Sequence, residues 1–469
     1  MQRFRSVCLA LVSACLAIAT PRAARPQYGG TLRVEMAATL SSVDPAASAT
    51  DPAEAAARAR LLPLVFETLT RVDEEGIRPA LAVSWESLAG GRRWRIRMRN
   101  GVTLHDGSSL EPWQAATALR AVEPRWRIDT DGDMLIVELP EPADLPWALA
   151  DVNHAVVVRA TGGALLGTGP FRVERLDAST LSLRAHDGYR LGRAFADSVR
   201  VQLNRSPTAQ LGDLEAGRAD LIGIQPTDAR RVTDRGMRVF ASRPLELVAI
   251  VFEPHRSGDA HARLRRTLAN AIDRRTLCDV LLQKHAAPAV TIVPPWLSGR
   301  PAQTAAGDRP ELSRQDVLAL PPEQRELALR VDPADRLALL IAERVAVDAR
   351  EAGLSLTVQT PTGLAPRPDA RLVRVRLPAT TPERSLVRAL AALGRRVADA
   401  ISPPGGLDGT TESVYRAEAA LADSRIVVPV VHLEDLYAAG EHASSWSSPP
   451  VRATGEWDLA DVWLKGERP

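Results

Sequence analysis

The stretch from Arg78 to Val122 limits what this chain can fold into more than any other. Trp94, Ile96 and Met98 alternate with Arg95, Arg97 and Arg99, the period of a strand with one buried and one wet face. A Gly90-Gly91 turn precedes this run and Asn100-Gly101 follows it. Both residues of that second pair tolerate positive φ, so the spacing predicts a tight hairpin returning through Val102 to Gly107. Pro112 then opens an amphipathic helix through Trp113, Ala116, Leu119 and Ala121, with Ser109 as its expected N-cap. Periodicity alone makes this a small α+β unit.

The wording is more specific than the periodicity. The run Pro79-Ala80-Leu81-Ala82-Val83-Ser84-Trp85-Glu86, followed by Arg99, Gly101, Val102, His105, Asp106 and Gly107, resembles the signature of the family 5 solute-binding proteins of ABC importers. That group includes oligopeptide, dipeptide and nickel binders. A second block, Leu264 to Leu277 (LRRTLANAIDRRTL), resembles the same family far downstream and in the right order. Between and around them, Tyr28-Gly29-Gly30-Thr31-Leu32, Leu62 to Leu69, Gly167-Thr168-Gly169-Pro170-Phe171, Leu214 to Leu221, Glu351-Ala352-Gly353 and Ile426 to His432 are similar to family segments. The resemblance runs from about residue 28 to about 440, dense to 285 and thin from 286 to 425.

What the resemblance implies is an α/β, periplasmic-binding-protein-like fold of type II. It has two cleft-forming lobes and a smaller one packed on the first. The expected boundaries are 28–46, 165–250 and 435–469 for a discontinuous lobe I, 47–164 for the small lobe and 251–434 for the far lobe. The implied function is capture of a short peptide or similar polar solute by hinge closure and its delivery to a membrane permease, by a monomer that needs no cofactor. A divergent relative serving as an envelope sensor or scaffold is the alternative.

Length and composition agree with this frame. A chain of 469 residues exceeds what one core supports. Its net charge is +2, and its arginines are spread among acids, unlike a nucleic-acid stripe. At the start, Arg3 and Arg5 precede an apolar run from Ser6 to Ile18, the pattern of an export signal within residues 1–24. Ala17-Ile18-Ala19 offers a cleavage site; Val12-Ser13-Ala14-Cys15 offers a lipobox that would anchor the protein through Cys15. Both readings place the mature chain outside the cytosol, in the periplasm. Cys278, the one cysteine left after cleavage at Ala19, is expected as a buried, inert thiol on a helix.

Further along, strands are expected at Phe171–Leu176, Leu181–Arg184, Val199–Leu203 and Leu247–Phe252, and a helix from Asp259 with Leu264, Leu268, Ala271 and Ile272 inward. Another helix is expected to start at Asp332 and carry Leu337, Leu340, Ile341 and Val345 inward, stopping at Gly353. Trp126–Ile128 and Met134–Leu139 flank Asp129-Thr130-Asp131-Gly132-Asp133. That acidic loop lacks the glutamate that completes a calcium-binding EF-hand, so it reads as a hairpin turn.

No enzymatic constellation stands out: there is no G-x-S-x-G, H-E-x-x-H or C-x-x-C. His105 is expected as a hydrogen-bonded turn residue rather than a metal ligand. A peptide buried in a cleft needs a counter-charge at each end. The family's far-lobe aspartate for the α-amino group should fall near 366–385, where this chain reads Pro366 to Pro378, basic and without aromatics. The candidate ligand-binding residues are therefore Ser41, Ser42 and Glu67, whose loops should border the cleft, with Glu253 and Trp296. Glu253 is either a cleft carboxylate for a cationic group or a surface residue. Trp296 is either near the ligand or in the core.

Overall fold

The computed structural model describes residues 27–73, 75–299, 314–318, 320–360, 367–378, 381–401, 407, 411–443, 450–452 and 454–465. The expected leader with Cys15 lies outside the described residues, as does most of the proline-rich stretch 361–368.

The first core is built on β1 (Thr31–Glu35), which lies parallel to β8 (Ser198–Gln202) and β9 (Leu221–Ile224). Helix α1 (Pro52–Leu61) starts at Asp51, which accepts hydrogen bonds from the Ala53 and Glu54 amides. Ala57 and the segment Leu61–Phe66 pack into this core with Leu32, Val34, Val199 and Val201. The apolar side of α1 thus packs against β1 and β8.

The small lobe holds a four-stranded antiparallel sheet. Its strands are β2 (Ala82–Leu88), β3 (Arg93–Met98), β4 (Arg127–Asp131) and β5 (Met134–Glu138), in the order β2-β3-β5-β4. Trp94, Ile96 and Met98 are buried as their alternation predicts, against Ala115, Ala116 and Leu119 of α2 (Pro112–Val122). Two expectations fail here. The chain after Gly101 does not return as a paired strand, because β2 and β5 already occupy both edges of β3. Val102 and Leu104 instead plug the core, and a Thr103–Ser109 bridge closes the loop. The residue before α2 is Glu111, whose amide donates to Gln114 Oε1 at 2.8 Å. With Pro112 fixing that start, Trp113 and Ala121 turn outward.

Returning to the first core, β6 (Phe171–Leu176), β7 (Thr180–Ala185) and β8 form an antiparallel run, and α3 (Pro207–Glu215) precedes β9. The long strand β10 (Arg238–Phe252) leads into the far lobe. That lobe contains α4 (Ala262–Ala271), β11 (Glu326–Arg330), α5 (Arg336–Glu351), β12 (Ser355–Gln359), β13 (Ala370–Arg376), α6 (Pro382–Leu393) and α7 (Thr411–Ser424). The nearly as long β14 (Val427–Ala439) leads back. These strands share one 11-stranded sheet, in the order β6-β7-β8-β1-β9-β14-β10-β13-β11-β12, with the short strand Ala286–Pro288 added against β14.

In the far lobe the sheet is covered on both faces. Val248, Ile250 and Phe252 pack toward α4 and α5, and Leu247, Ala249 and Val251 toward α6 and α7. A strand buried on both sides needs no polar alternation, which explains its unbroken apolar run. Helix α5 starts at Asp335, which accepts from the Ala338 amide, while Asp332 serves the preceding turn. The later start turns Leu340 outward, 39% exposed, and leaves Leu337, Ile341 and Val345 inward.

Candidate functional site

Only β10 and β14 carry the described chain between the two sets of cores. At one end Arg238–Ala241 pair with Leu436–Ala439, whose Tyr437 and Ala439 belong to the first core. At the other end Glu246–Val251 pair with Val427–Leu433, within the far lobe. Between these two stretches the register slips twice, from Ala241 to Pro244 and from Pro244 to Glu246. Pro244 has no N–H to give to the ladder. The Asp435 amide instead donates to Ser242 Oγ at 3.0 Å. A bulge of this kind bends and twists the pair, and it sits where the two sets of cores meet.

Trp296 is anchored there. Its indole N–H donates to the Pro244 carbonyl at 2.9 Å, and the Arg243 guanidinium lies 5.7 Å from the ring centroid.

The same point gathers charge. Asp435 accepts from Arg376 of β13 at 2.6 Å through Oδ1, and Arg60 at the end of α1 reaches the same oxygen at 3.2 Å. One cation comes from the far lobe, the other from the first core, and the carboxylate from a strand that joins them. Burial raises the Asp435 pKa, but Arg376 and Arg60 outweigh it and hold the carboxyl well below the usual range. The guanidinium of Arg60 lies 5.7 Å from the Tyr437 ring centroid, and Trp457 meets Tyr437 edge-on at 5.7 Å.

Trp457 comes from a C-terminal hairpin in which Val451 bridges Trp457. The tip of that hairpin is Gly455, at φ +81°, where a Cβ would stand 2.8 Å from Arg376 Nη2 and 3.1 Å from Asp435 Oδ2. Glycine alone lets the hairpin approach this closely.

Several buried polar atoms at this junction have no hydrogen-bond partner among the described residues: Arg60 Nε, Asp435 Oδ2, Tyr437 Oη, Thr454 Oγ1 and Trp457 Nε1. The Tyr437 hydroxyl and the indole N–H lie side by side without a well-formed bond. Buried polar groups are almost always paired, so such a concentration calls for an explanation.

A second polar group adjoins the first through the hairpin. Arg452 pairs with Asp458 at 2.8 Å, and burial raises the pKa of Glu456 between them. Glu67 accepts from Arg190 through Oε1 at 2.7 Å, while its other oxygen is buried and unpartnered. Burial, with the Glu67 charge nearby, pushes the Tyr189 phenol up.

The five expected site residues thus scatter. Trp296 meets the junction at the Pro244 carbonyl, and Glu67 lies with Arg190 and Tyr189 beside the polar group of the hairpin. The Ser41 amide and hydroxyl both donate to Glu54 Oε1, at 2.6 and 2.5 Å, and help lower the Glu54 carboxyl to about 2. Ser42 Oγ accepts from the Asp44 amide, so both hydroxyls hold their own loop. Glu253 stands beyond the far end of β10, 3.7 Å from Arg371 and roughly 30 Å up the strand from Pro244 at about 3.3 Å per residue. It cannot reach this junction.

Asp369, in the segment where an amine-binding aspartate was sought, is taken up by Arg256 at 2.7 Å, His255 at 3.0 Å and the Ala328 amide at 2.8 Å. His105 Nδ1 accepts from the Gly167 amide, and burial lowers its pKa to about 4. Cys278 is buried, its thiol pushed up to about 12 by that burial. Among the described residues no cluster of three or more His, Cys, Asp or Glu could hold a metal ion.

Arg60, Arg376, Asp435, Tyr437 and Trp457 escaped the sequence reading. The usable signal was Asp435 itself, which with Glu434 puts two acids into a mostly apolar strand.

Comparison with known proteins fits this geometry. The family model for bacterial extracellular solute-binding proteins, family 5 Middle, matches residues 76–364. The chain is 31% identical over 154 residues to the HTH-type transcriptional regulator SgrR of Pectobacterium atrosepticum, covering 29% of this chain and 28% of that protein. It is 23% identical over 295 residues to the oligopeptide-binding protein AppA of Bacillus subtilis, covering 55% of this chain and 53% of AppA. The chain thus spans about half or less of the length of these curated relatives.

The solved structure of AppA in complex with a nonapeptide superposes with a TM-score of 0.68 at 15% identity, covering 94% of this chain and all of the other. The ABC transporter substrate-binding protein CtaP of Listeria monocytogenes gives 0.73 at 16%, covering 93% of this chain and all of CtaP. At such identities the likeness is one of fold, that of the type II periplasmic binding proteins. Among the described residues, no helix is long and apolar enough to cross a membrane. A sheet crossed by two long strands, with charge collected where they bend, is the frame of a binding protein, and the chain belongs to the bacterial extracellular solute-binding proteins, family 5.

Proposed function

We propose that this protein captures a small polar solute between its first and far lobes and delivers it to an ABC permease. It would work outside the cytosol and without catalysis. The lobes would follow the expected division, with α1 reassigned to the first, and would swing on the paired bulge at Ser242–Glu246 and Leu433–Asp435. The observation that carries this reading is the set of buried, unpartnered polar atoms gathered at that bulge. A solute held there would touch both lobes and so favour the closed arrangement over the open one.

Short peptides are the leading class, because their charged ends and backbone suit a site holding both carboxylates and guanidinium groups. Glu67, with one unpartnered oxygen, and Trp296, at the bend, are proposed as ligand-facing.

Native mass spectrometry of the protein from its own host tests the reading: a stoichiometric small molecule is expected. A protein that carries none and keeps an unchanged radius of gyration across a peptide panel would overturn it. A second reading, a sensor that no longer transports, draws support from the match to the SgrR regulator. Reconstitution with ABC permeases of its host distinguishes the two, since only a transport component stimulates ATP hydrolysis there.

A further inference from the structure

We propose that Gln283 is a clasp between the lobes, a far-lobe side chain that grips the first lobe's backbone beside the bend and fixes the angle between the two halves. The inference rests on the hinged, two-lobe reading above and names the residue that sets the angle.

Along the side of β14 away from β10, two different strands take turns. Leu436–Ala439 pair with β9 of the first core, and Val431–Leu433 pair with the short far-lobe strand Ala286–Pro288. Glu434 and Asp435 fall between them, level with the bulge at Pro244. The row beside β14 is therefore interrupted where the lobes meet. The main chain gives one long link there, from the Glu434 amide to the His285 carbonyl at 3.4 Å, and His285 Nδ1 lies 3.0 Å from Glu434 Oε2.

Gln283 spans the interruption. Its Nε2 donates to the Thr227 carbonyl at 2.8 Å, and its Oε1 accepts from the Arg230 amide at 2.7 Å. Thr227 lies three residues past the end of β9, and Arg230 in the short helix Ala229–Asp234. Ala229 and Val232 of that helix pack with Leu211, Ile222 and Ala438 of the first lobe, whereas Leu282, beside Gln283, lies in the far-lobe core with Leu264 and Cys278. One donor and one acceptor on a planar amide meet a carbonyl and an N–H, so the group is held in a single orientation. The Arg230 amide belongs to a first helical turn and has no partner within its helix, a need that Gln283 meets.

The backbone is bent to make this reach. Gln283 and Lys284 sit at φ +52° and +69°, two consecutive non-glycine residues in the left-handed region. They follow a π-helical turn, Leu277–Leu281, and the Lys284 amide reaches back to the Cys278 carbonyl at 2.8 Å. Such strain persists where surrounding contacts over-determine it, and it collects at switches. Two short bonds between the lobes hold at one interlobe angle. A swing at the bend changes the span from β9 to the short strand and breaks them, so a change of angle on solute capture would require Gln283 to let go.

The test uses the full mature chain, spin-labelled at Arg200→Cys in the first lobe and Val347→Cys in the far lobe; both positions are exposed, and Cys278 is buried away from the label. Double electron–electron resonance reads the interlobe distance, and hydrogen exchange reads the Arg230 amide. Gln283→Met keeps the stem and removes both bonds. It should broaden or shift the distance distribution, and the Arg230 amide should exchange roughly 5-fold faster, as expected for losing one hydrogen bond. Lys284→Gly relaxes a left-handed residue while keeping the clasp, and should leave both readouts as in the wild type.

An unchanged distribution in Gln283→Met, or an Arg230 amide that exchanges as before, overturns the clasp. So does an equal broadening in Lys284→Gly, which would assign the effect to the strained turn. Gln283→Glu supplies a second variant: it keeps the acceptor for Arg230 but sets an oxygen against the Thr227 carbonyl, and a distribution as narrow as the wild type would again refute the proposal. Circular dichroism identifies any variant that fails to fold. None of these readouts needs a solute, so failure of the capture reading, decided by mass spectrometry, is distinguishable from failure of the clasp.

Discussion

Replacing Asp435 by Asn should weaken the protein by an amount that its surroundings set. The wild-type carboxylate balances Arg376 at 2.6 Å and Arg60 at 3.2 Å, and its side chain is 11% exposed. Removing one partner of a buried ion pair costs about 3–5 kcal/mol, mostly because the remaining charge is stranded. Asn keeps one carbonyl acceptor and the arginines retain some water, so the lower end, about 3 kcal/mol, is expected. Urea unfolding followed by tryptophan fluorescence measures the loss.

A double-mutant cycle with Arg60→Met should show coupling of about 1 kcal/mol, because removing Arg60 relieves part of the stranded charge. The pH dependence follows from the lowered Asp435 pKa. A carboxyl whose folded pKa is depressed contributes stability above its unfolded value, about 3.9, and loses it as pH falls through the folded value. The gap between wild type and variant should accordingly be full at neutral pH and shrink below about pH 4. A loss under 0.5 kcal/mol, strict additivity with Arg60→Met, or a gap that widens in acid would refute the electrostatic account.

Gly167→Ala should destabilise by about 3 kcal/mol or prevent folding, since a Cβ there would lie 2.1 Å from the Val65 carbonyl oxygen, a backbone atom that cannot swing aside; thermal unfolding reads this. Glu418→Gln should flatten part of the pH profile. Burial raises the Glu418 pKa to about 7, against the Val293 amide that donates to it at 2.7 Å. A carboxyl with a raised folded pKa favours folding fully below its unfolded value, about 4.3, and loses that advantage as pH rises through 7. The variant should therefore gain on the wild type as pH goes from 5 to 8, in denaturant midpoints taken across that range.

The elements that were legible in the sequence are those whose environment leaves a simple pattern. β3 shows its one dry face as strict alternation, and the middle of β10 shows its two dry faces as an apolar run. The return after Gly101 misled because Val102 and Leu104 are apolar for core filling, and local spacing does not distinguish that from pairing. The helix starts at Glu111 and Asp335 were misplaced because Ser109 and Asp332, two and three residues upstream, are themselves strong capping types. The junction was hidden for another reason. Arg60, Arg376 and Asp435 lie in three distant segments, and only the sheet order brings them together. Glu253 looked plausible because it departs from the usual wording, yet a departure in wording carries no information about distance.

The paired passage through β10 and β14 has a consequence for engineering. Residues 246 to 433 leave and re-enter through adjacent antiparallel positions, Glu246 opposite Leu433. That makes the intervening segment a natural cassette. Chimeras spliced at these two points should tolerate exchange with the corresponding piece of a relative, because just two seams need rejoining and both fall where the ladder is already irregular.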